Sequence, residues 1–181
     1  MKPIRLLAAT ILTLLTASIT LAATKAPSAP AADPAPPQPG QRAPSFSART
    51  LSGRRIRFPQ NFRGKLVLVD FWATWCPTCV AEIPQIRAAY HRFHSRGFDV
   101  ISINVNDPNQ HSQVKQFIHT HKMTWPQLHD GDAAIAGPYN VHPLPEALLI
   151  NGSTGKVVAA DDALMGPHLS TTLARLLAHR A

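Results

Sequence analysis

The sequence predicts an α/β fold in which helices flank a central mixed sheet, with an added β-hairpin before the first central strand. Two observations support this prediction. In the first half of the chain a strand pattern, a helix pattern and a second strand pattern follow one another, which indicates a right-handed parallel crossover. Near the C-terminus two strand patterns flank a turn sequence, which indicates an antiparallel hairpin. Residues 44–181 are long enough for one domain of ordinary size.

The first three predicted elements are a hairpin, a buried strand and a helix. Residues 46–51 and 56–58 flank the turn dipeptide Ser52-Gly53 and predict the hairpin. Residues 66–71, with the sequence LVLVDF, form a short apolar run rich in β-branched residues, which predicts a strand buried on both faces. The helix that follows is expected to end near Gly97. Its buried face is predicted from residues at steps of three and four: Ile83, Ile86, Tyr90 and Phe93.

The chain then returns to the sheet and forms a second helix. Residues 98–103 predict another buried strand, and Asp107 is a helix cap that is followed by proline at the first helical position. The buried stripe of this helix is predicted from Val114, Phe117, Ile118 and His121. Residues 125–128 predict a short strand, and Asp132 is expected to cap a brief helix that runs to Tyr139.

The C-terminal part predicts a second hairpin and a last helix. Residues 147–150 and 156–160 flank the turn sequence NGSTG, which accounts for the antiparallel pair. The helix that follows has an apolar face made of four leucines: Leu169, Leu173, Leu176 and Leu177. The parallel crossover and this hairpin together give the mixed sheet.

Cys76 and Cys79 are the only cysteines in the chain, and they lie where the first buried strand leads into a helix. The free backbone N–H groups and the positive end of the helix dipole favour a thiolate there. In a Cys-x-x-Cys spacing the first sulfur lies at the exposed helix tip and the second one turn further inward. The sequence therefore predicts a redox dithiol in which Cys76 attacks and Cys79 resolves.

A zinc site and a structural disulfide are both less favoured roles for the cysteine pair. A zinc site normally has four Cys or His ligands, and the sequence contains no second Cys-x-x-Cys or Cys/His cluster. A structural disulfide at this spacing would close almost no loop and so would stabilise the fold very little.

Residues 69–79, with the sequence VDFWATWCPTC, are followed by Glu82 and Pro84. This stretch resembles the thioredoxin superfamily, in particular its periplasmic TlpA/ResA/CcmG-like branch of membrane-associated disulfide reductases. The resemblance runs from about Pro44 to the C-terminus. It implies a thioredoxin-like fold and a thiol-disulfide oxidoreductase activity. The predicted crossover and hairpin are in the order that this fold requires.

Two carboxylates are candidate bases for the proton of Cys79. A resolving thiol must lose its proton before it attacks a mixed disulfide, and Asp70 is a carboxylate inside an apolar strand. In the resemblance, Asp70 matches the buried acid of ordinary thioredoxins, where the periplasmic branch more often has asparagine. Glu82 matches the acid that this branch places after its second cysteine, and its alternative role is that of a surface charge near the helix N-terminus. Which of the two serves Cys79 is open at this stage.

The resemblance also implies a substrate-binding surface. Pro145 matches the family proline that precedes the penultimate strand, so the Leu144-Pro145 bond is expected to be cis and to pack opposite the cysteines. Backbone groups there, together with Trp75 and Pro77, would bind an extended substrate chain. The alternative is an ordinary loop proline. Three features resemble the cytochrome-c-maturation subgroup: Glu146, the Asp130-Gly131-Asp132 sequence and the Cys-Pro-Thr-Cys motif itself.

The N-terminal segment predicts export. Residues 1–23 contain Lys2 and Arg5, an apolar run over 6–21 and the small residues Ala22 and Ala23, which is the pattern of a secretory signal. Because the run is rich in threonine, a cleaved signal is favoured over a retained membrane anchor. Residues 24–43 are mostly Ala, Pro, Ser and Gln and predict an extended linker.

The chain has a formal net charge of +8, which would steer it towards acidic partners or anionic lipid surfaces. The densest basic cluster consists of Arg49, Arg54, Arg55, Arg57, Arg63 and Lys65. Because these residues alternate with apolar ones, they indicate the solvated face of a hairpin, and nucleic-acid binding is not predicted. The nine histidines show no ligand spacing and are expected at the surface. A copper site of Cys76, Cys79 and His142 is a minor alternative.

The predicted function is therefore that of an exported oxidoreductase that reduces protein disulfides, with the thiols of apocytochrome c as the expected client. It would need a membrane electron donor of the thiol-reducing type, no cofactor and no metal. The expected location is the periplasm or another extracytoplasmic space, with the N-terminal segment as the alternative anchor to the inner membrane. A monomer is expected. A disulfide-donating oxidant and a copper-binding chaperone are the alternatives; a peroxidase is disfavoured because a threonine is absent three residues before Cys76.

Overall fold

The computed structural model describes residues 35–179. The predicted signal or anchor over 1–23 and residues 24–34 of the predicted linker lie outside the described residues. Backbone hydrogen bonds to the folded body begin at Gly40, whose N–H donates to Val157 O over 2.9 Å. Ala43 N donates in turn to Gly155 O over 2.9 Å. Residues 40–43 therefore belong to the folded body, ahead of the expected start at Pro44.

The predicted N-terminal hairpin forms a separate two-stranded sheet. Strand β1, Phe46–Arg49, pairs antiparallel with β2, Arg55–Phe58. Ile56 and Phe58 point into the core, whereas the arginines between and beside them are exposed. This alternation is the amphipathic pattern expected of a hairpin with one buried face.

The central sheet has five strands in the order β5-β4-β3-β6-β7. Strands β3, β4 and β5 are parallel, and β6 and β7 are antiparallel to their neighbours. The bounds of these strands are Leu66–Trp72 for β3, Phe98–Asn104 for β4, Gln127–His129 for β5, Glu146–Asn151 for β6 and Lys156–Ala160 for β7. The predicted mixed sheet is confirmed, although β5 begins two residues later than the sequence pattern suggested.

Three α-helices flank this sheet. They are α1 at Pro77–Phe93, α2 at His111–Thr120 and α3 at His168–Ala178. Gly97, with φ of 90°, ends the first helical segment as predicted. The carboxylate of Asp107 accepts a hydrogen bond from Asn109 N over 2.8 Å and caps the 3₁₀ turn before α2. No helix within residues 35–179 has the length and apolar character that a bilayer crossing requires.

The stripe predicted on α2 is only partly buried. Val114 is fully enclosed, whereas Phe117, Ile118 and His121 remain half-exposed. The Phe117 ring lies between Trp72 and His121, with centroid distances of 5.4 Å and 3.8 Å. These rings form a layer at the edge of the core, where Phe117 packs partly buried against the helix-side cluster.

The helix expected between Asp132 and Tyr139 does not form; this segment consists of turns. Ala133 has φ of 57° and Asn140 has φ of 53°, and neither value fits a right-handed helix. The organising residue is Asp130, whose buried carboxylate accepts hydrogen bonds from Ile135 N at 3.0 Å and Ala136 N at 2.7 Å. The sequence thus predicted an acidic cap in the right region but assigned it to the wrong residue.

The two faces of the sheet bury separate clusters. Leu66, Leu68 and Trp72 of β3 pack with helices α1, α2 and α3. Val67, Val69 and Phe71 of the same strand pack with the hairpin and with residues 135–141. This period-two alternation leaves both faces of β3 buried, as the unbroken apolar run predicted. The strand is therefore held firmly, and its last residue leads directly into the loop that carries the cysteines.

Candidate active site at the start of α1

Cys76 and Cys79 form a disulfide with a Cα–Cα distance of 5.3 Å. Cys76 is the N-cap residue of α1, and its Sγ accepts a hydrogen bond from Cys79 N over 3.2 Å. Thr78 Oγ1 lies 3.3 Å from the same sulfur. The Cys79 N–H points at Cys76 Sγ, and the Thr78 hydroxyl can donate to the same sulfur. Hydrogen bonds of this kind stabilise a thiolate once the disulfide is reduced.

The expectation that Cys76 is the exposed member of the pair is wrong for this disulfide form. Its exposed fraction is 4 %, against 3 % for Cys79. The neighbouring Trp75 is instead the exposed side chain, at 63 %. The loop that contains Leu144 lines the same cavity as Cys76.

A cavity of about 580 Å³ opens beside Cys76. One wall is the motif from Trp75 to Thr78, and the opposite wall is the loop from Val141 to Leu144. Val105, Ala133 and Ala136 complete the lining. Cys76 lines this space and Cys79 does not. The cavity therefore gives an incoming molecule access to only one of the two sulfurs.

The peptide bond Leu144-Pro145 is cis, as expected. Leu144 contributes to the cavity wall opposite Cys76 and Pro77, so this part of the loop and the cysteine motif are brought together. The bond His142-Pro143, two residues earlier, is also cis, and this was not predicted from the sequence.

Asp70 is buried, with an exposed fraction of 6 %, on the face of β3 that packs against α1. Ser102 Oγ donates a hydrogen bond to Asp70 Oδ2 over 2.8 Å, and Trp125 Nε1 donates to Ser102 Oγ over 2.8 Å. Burial raises the pKa of Asp70 to about 7; the Ser102 hydrogen bond lowers it in part, and the charge of Glu82 raises it further. This carboxyl group can therefore gain or lose a proton near neutral pH.

Glu82 lies on α1, one turn after Cys79, and is half-buried. Its Oε2 accepts a hydrogen bond from Gly166 N over 2.7 Å. The carboxylate thus connects α1 to the turn before α3, and it is also close enough to Asp70 to raise the pKa of that group. The structure brings the two predicted acids together and gives each a hydrogen-bond donor: Ser102 Oγ for Asp70 and Gly166 N for Glu82.

Glu146 is a further buried acid, on the strand next to β3. From the sequence it was only one of the features that resemble the cytochrome-c-maturation subgroup. It follows Pro145 and lies opposite Phe71 in the β3–β6 ladder. Burial, followed by the charge of Asp161, raises the pKa of Glu146 to about 7. Its Oε1 has no hydrogen-bond partner among the described residues. A carboxylate at the start of an apolar strand was the sequence signal for this group.

Asn106 is a positioning residue that was not predicted from the sequence. Its Oδ1 accepts a hydrogen bond from Thr74 N over 2.9 Å, and its Nδ2 donates to Thr74 Oγ1 over 2.6 Å. Asn104 Nδ2 donates to the same Oδ1 over 2.9 Å. This buried network holds the loop that leads to Trp75 and Cys76. The available sequence signal was the pair of asparagines at the end of the second buried strand. Because parallel strands bring their carboxyl ends together, these side chains could be expected near the loop that follows β3.

The basic cluster and the histidines form neither arginine ion pairs nor a metal-binding group of three or more residues in the described part of the chain. Lys65 Nζ pairs with Asp99 Oδ2 over 2.7 Å, whereas no ion pair involves an arginine within residues 35–179. The same described part of the chain contains no group of three or more His, Cys, Asp or Glu side chains placed to hold a metal ion.

Residues 39–160 match the model of the AhpC/TSA family. The thiol-disulfide oxidoreductase ResA of Bacillus subtilis is 34% identical over 119 residues, which cover 66% of this chain and 64% of that protein. The protein of the same name from Geobacillus thermodenitrificans is 33% identical over 121 residues, which cover 66% of this chain and 68% of the relative. The chain thus spans slightly less than two thirds of the length of the Bacillus subtilis relative.

Solved structures share the fold. The thioredoxin domain of a thiol-disulfide oxidoreductase from Bacteroides vulgatus has a TM-score of 0.68 and 27% identity, with 77% of this chain and 97% of that one covered. StoA from Bacillus subtilis has a TM-score of 0.59 and 28% identity, with coverage of 75% and 95%. A secreted disulfide oxidoreductase from Mycobacterium tuberculosis shares the fold with a TM-score of 0.60 and 23% identity. The match covers 72% of this chain and 95% of that one. The predicted thioredoxin-like fold is confirmed.

Proposed function

Because this chain belongs to the AhpC/TSA family of thioredoxin-like proteins, within the TlpA/ResA/CcmG-like group, we propose that it is a thiol-disulfide oxidoreductase that reduces protein disulfides. The observation that carries the proposal is the Cys76–Cys79 disulfide at the N-terminus of α1, with Cys76 alone open to an apolar-walled cavity. A buried pair that only stabilised the fold would have no use for this access.

The reaction is two successive thiol-disulfide exchanges. The Cys76 thiolate attacks one sulfur of a client disulfide, a mixed disulfide forms, and the other client sulfur leaves as a thiolate. The Cys79 thiolate then attacks Cys76 Sγ, which releases the second client sulfur and forms the Cys76–Cys79 bond. Two electrons pass to the client, and the released thiolates take up two protons, one of which comes from Cys79.

Asp70 is the group that we assign to accept the proton of Cys79. Its buried position and its pKa of about 7 support this role, since a base of that strength is partly ionised at neutral pH. Glu82 interacts electrostatically with Asp70 while its Oε2 accepts the hydrogen bond of Gly166 N. Its proposed part is therefore to raise the pKa of Asp70, with direct proton transfer as the alternative.

The client would bind in the cavity between the motif and the 141–144 loop. Trp75 and Pro77 form one side of the proposed binding surface, and Leu144 lies on the other side. Pro145 follows Leu144 through the cis bond but does not line the cavity itself. An extended chain laid between them could form backbone hydrogen bonds in the manner of an added strand. The predominantly apolar side chains of the lining suit a client segment that is not yet folded.

Export, client and electron donor are also part of the proposal. The charged, apolar and small-residue pattern of residues 1–23 supports an extracytoplasmic location, with the segment either cleaved or kept as an inner-membrane anchor. The Mycobacterium tuberculosis neighbour is described as secreted. In such a compartment a reductant needs an outside donor, for which a thiol-reducing membrane protein is proposed. Apocytochrome c is the proposed client.

The test combines trapping with a reduction potential. Cys79→Ser should accumulate mixed disulfides with clients through Cys76, whereas the control Cys76→Ser should accumulate none. Equilibration of the wild type with a glutathione or dithiothreitol series should give a potential nearer about −270 mV than about −120 mV. The reason is that Pro77 and Thr78 add no cation to stabilise the thiolate, and the nearby carboxylates disfavour it. A value near the higher end would make the protein a disulfide donor.

A further inference from the structure

His111 and His129 face each other from different elements. His111 is the first residue of α2 and His129 is the last residue of β5, at the edge of the central sheet. The two Nδ1 atoms are 3.2 Å apart, and the ring centroids are 5.4 Å apart with an angle of 36° between the planes. The fold has therefore brought together two imidazoles that are 18 positions apart in the sequence.

The tautomer of His129 follows from its other nitrogen. Nε2 lies 3.0 Å from the backbone oxygen of Asn106, and a carbonyl oxygen can only accept a hydrogen bond. Nε2 therefore carries the hydrogen, and in the neutral ring Nδ1 presents a lone pair to His111. In metal-binding histidines, the ring nitrogen that does not bind the metal usually donates its N–H to a carbonyl or carboxylate, as Nε2 does here.

The separation of the two Nδ1 atoms fits a shared ion. Two nitrogens bound at about 2.0–2.1 Å, with a tetrahedral angle at the ion, lie about 3.3 Å apart. Without an ion, the same separation is satisfied by a hydrogen bond from His111 Nδ1–H to His129 Nδ1. Binding would need His111 to move its hydrogen from Nδ1 to Nε2, which leaves both rings neutral. It would also need the rings to tilt so that both lone pairs meet at the ion, because the Nδ1 atoms now point almost directly at each other.

We propose that His111 and His129 form a two-histidine site for a transition-metal ion, Zn²⁺ or Cu²⁺, whose remaining positions are filled by water or an outside ligand. Imidazole nitrogen suits both ions. No third His, Cys, Asp or Glu ligand joins the pair within residues 35–179, so the ion would be exchangeable. This site shares no residue with the copper alternative that used the cysteines and His142.

The site is joined to the loop before the cysteines through Asn106. The backbone oxygen of Asn106 orients His129, and the side chain of the same residue holds Thr74 through two hydrogen bonds. An ion at the pair would therefore join α2 to the sheet edge, next to the network that positions the motif. Lys115, one turn further along α2, places a positive charge near His111 and should weaken cation binding.

The test uses the full chain in its disulfide form, so that the thiols cannot bind metal. Isothermal titration with Zn²⁺ should show one site per chain, and His111→Ala and His129→Ala should each weaken binding at least tenfold. Because His129→Ala also loses the Asn106 contact, the exposed His111→Ala is the decisive variant. His119→Ala, on the same helix, should change the affinity by less than twofold.

A second readout locates the ion directly. Substoichiometric Cu²⁺ should broaden the imidazole resonances of His111 and His129 before those of the other histidines, and Lys115→Gln should tighten binding. Unchanged Zn²⁺ affinity in His111→Ala, or broadening that begins at another histidine, would overturn the proposal and leave the pair as a hydrogen bond only.

Discussion

At the scale of single residues, Asp70 should make the stability of the protein depend on pH. Its pKa is raised from 3.8 to about 7 in the folded state. Between these values the folded state binds more protons than the unfolded state, so the free energy of unfolding falls as pH rises from about 4 through 7. Asp70→Asn removes the ionisable group and with it this loss of unfolding free energy. The variant should therefore be more stable than the wild type at pH 8, by at most about 4 kcal/mol, and the difference should be much smaller at pH 4.

Urea denaturation of the disulfide form at the two pH values measures this difference. Asp107→Asn is the matched control, because that carboxylate is exposed and asparagine is an equally good cap. Equal stabilisation by Asp70→Asn at both pH values would show that ionisation of Asp70 is not its source.

The same residue should decide how fast a mixed disulfide is resolved. If Asp70 accepts the proton of Cys79, Asp70→Asn should slow resolution by about tenfold or more and leave the first attack by Cys76 nearly unchanged. Rapid mixing with a fluorescent disulfide peptide separates the two steps. Glu82→Gln should have a smaller effect, because its Oε2 is already bonded to Gly166 N. Normal resolution in both variants and in the double variant would remove the carboxylates from the mechanism.

At the scale of elements, the turn between β6 and β7 packs directly on the turn before β3. Gly152 N donates to Lys65 O over 2.9 Å, and a Cβ at this position would collide with the backbone oxygen of Phe62. Gly152→Ala should therefore lower the free energy of unfolding by about 3 kcal/mol or more, because backbone must move. Gly53→Ala is the control: it meets open space but has φ of 87°, and should cost only about 1 kcal/mol. Equal costs in denaturation would contradict the packing explanation.

The loop before the cysteines depends on one side chain. Asn106→Ala should remove both hydrogen bonds to Thr74 and leave Thr74 N–H without its partner, at a cost of about 1–3 kcal/mol. Amide hydrogen exchange at Thr74 should accelerate more than exchange in the distant helix α3. Asn109→Ala, on the exposed turn before α2, is the control that should leave Thr74 protected. Uniform acceleration would indicate general destabilisation instead.

The main strands and helices and the position of the cysteines could be predicted from the sequence, because local side-chain patterns determine them. The apolar run of β3 and the face of α1 follow from side-chain periodicity, and the cysteines lie where those two elements meet. The missing helix after Asp132 could not be predicted in the same way, since a left-handed Ala133 and the carboxylate of Asp130 fix that turn. The cavity beside Cys76 depends on the 141–144 loop, which is distant in sequence.

At the scale of the whole molecule, the N-terminal segment is the proposed export signal of the domain. We expect cleavage close to Ala23, because the apolar run is diluted by threonine and ends on two small residues. Mass spectrometry of the protein from expressing cells should find a chain that starts near Thr24. Recovery of residues 1–23 intact in the membrane fraction would establish an anchor instead.

The stretch from Gly40 to Leu51 has a consequence for association of the protein with other chains. Gly40 N donates to Val157 O of β7, and Val157 N donates to Gln41 O. At the opposite edge of the sheet, Leu51 N donates to Gln127 O of β5 over 2.8 Å. One short segment therefore protects both outer strands, which are the templates that most readily recruit foreign strands. Unpaired edges of this kind lead to aggregation at high concentration, so a chain shortened past Leu51 should lose solubility before it loses its cysteine chemistry.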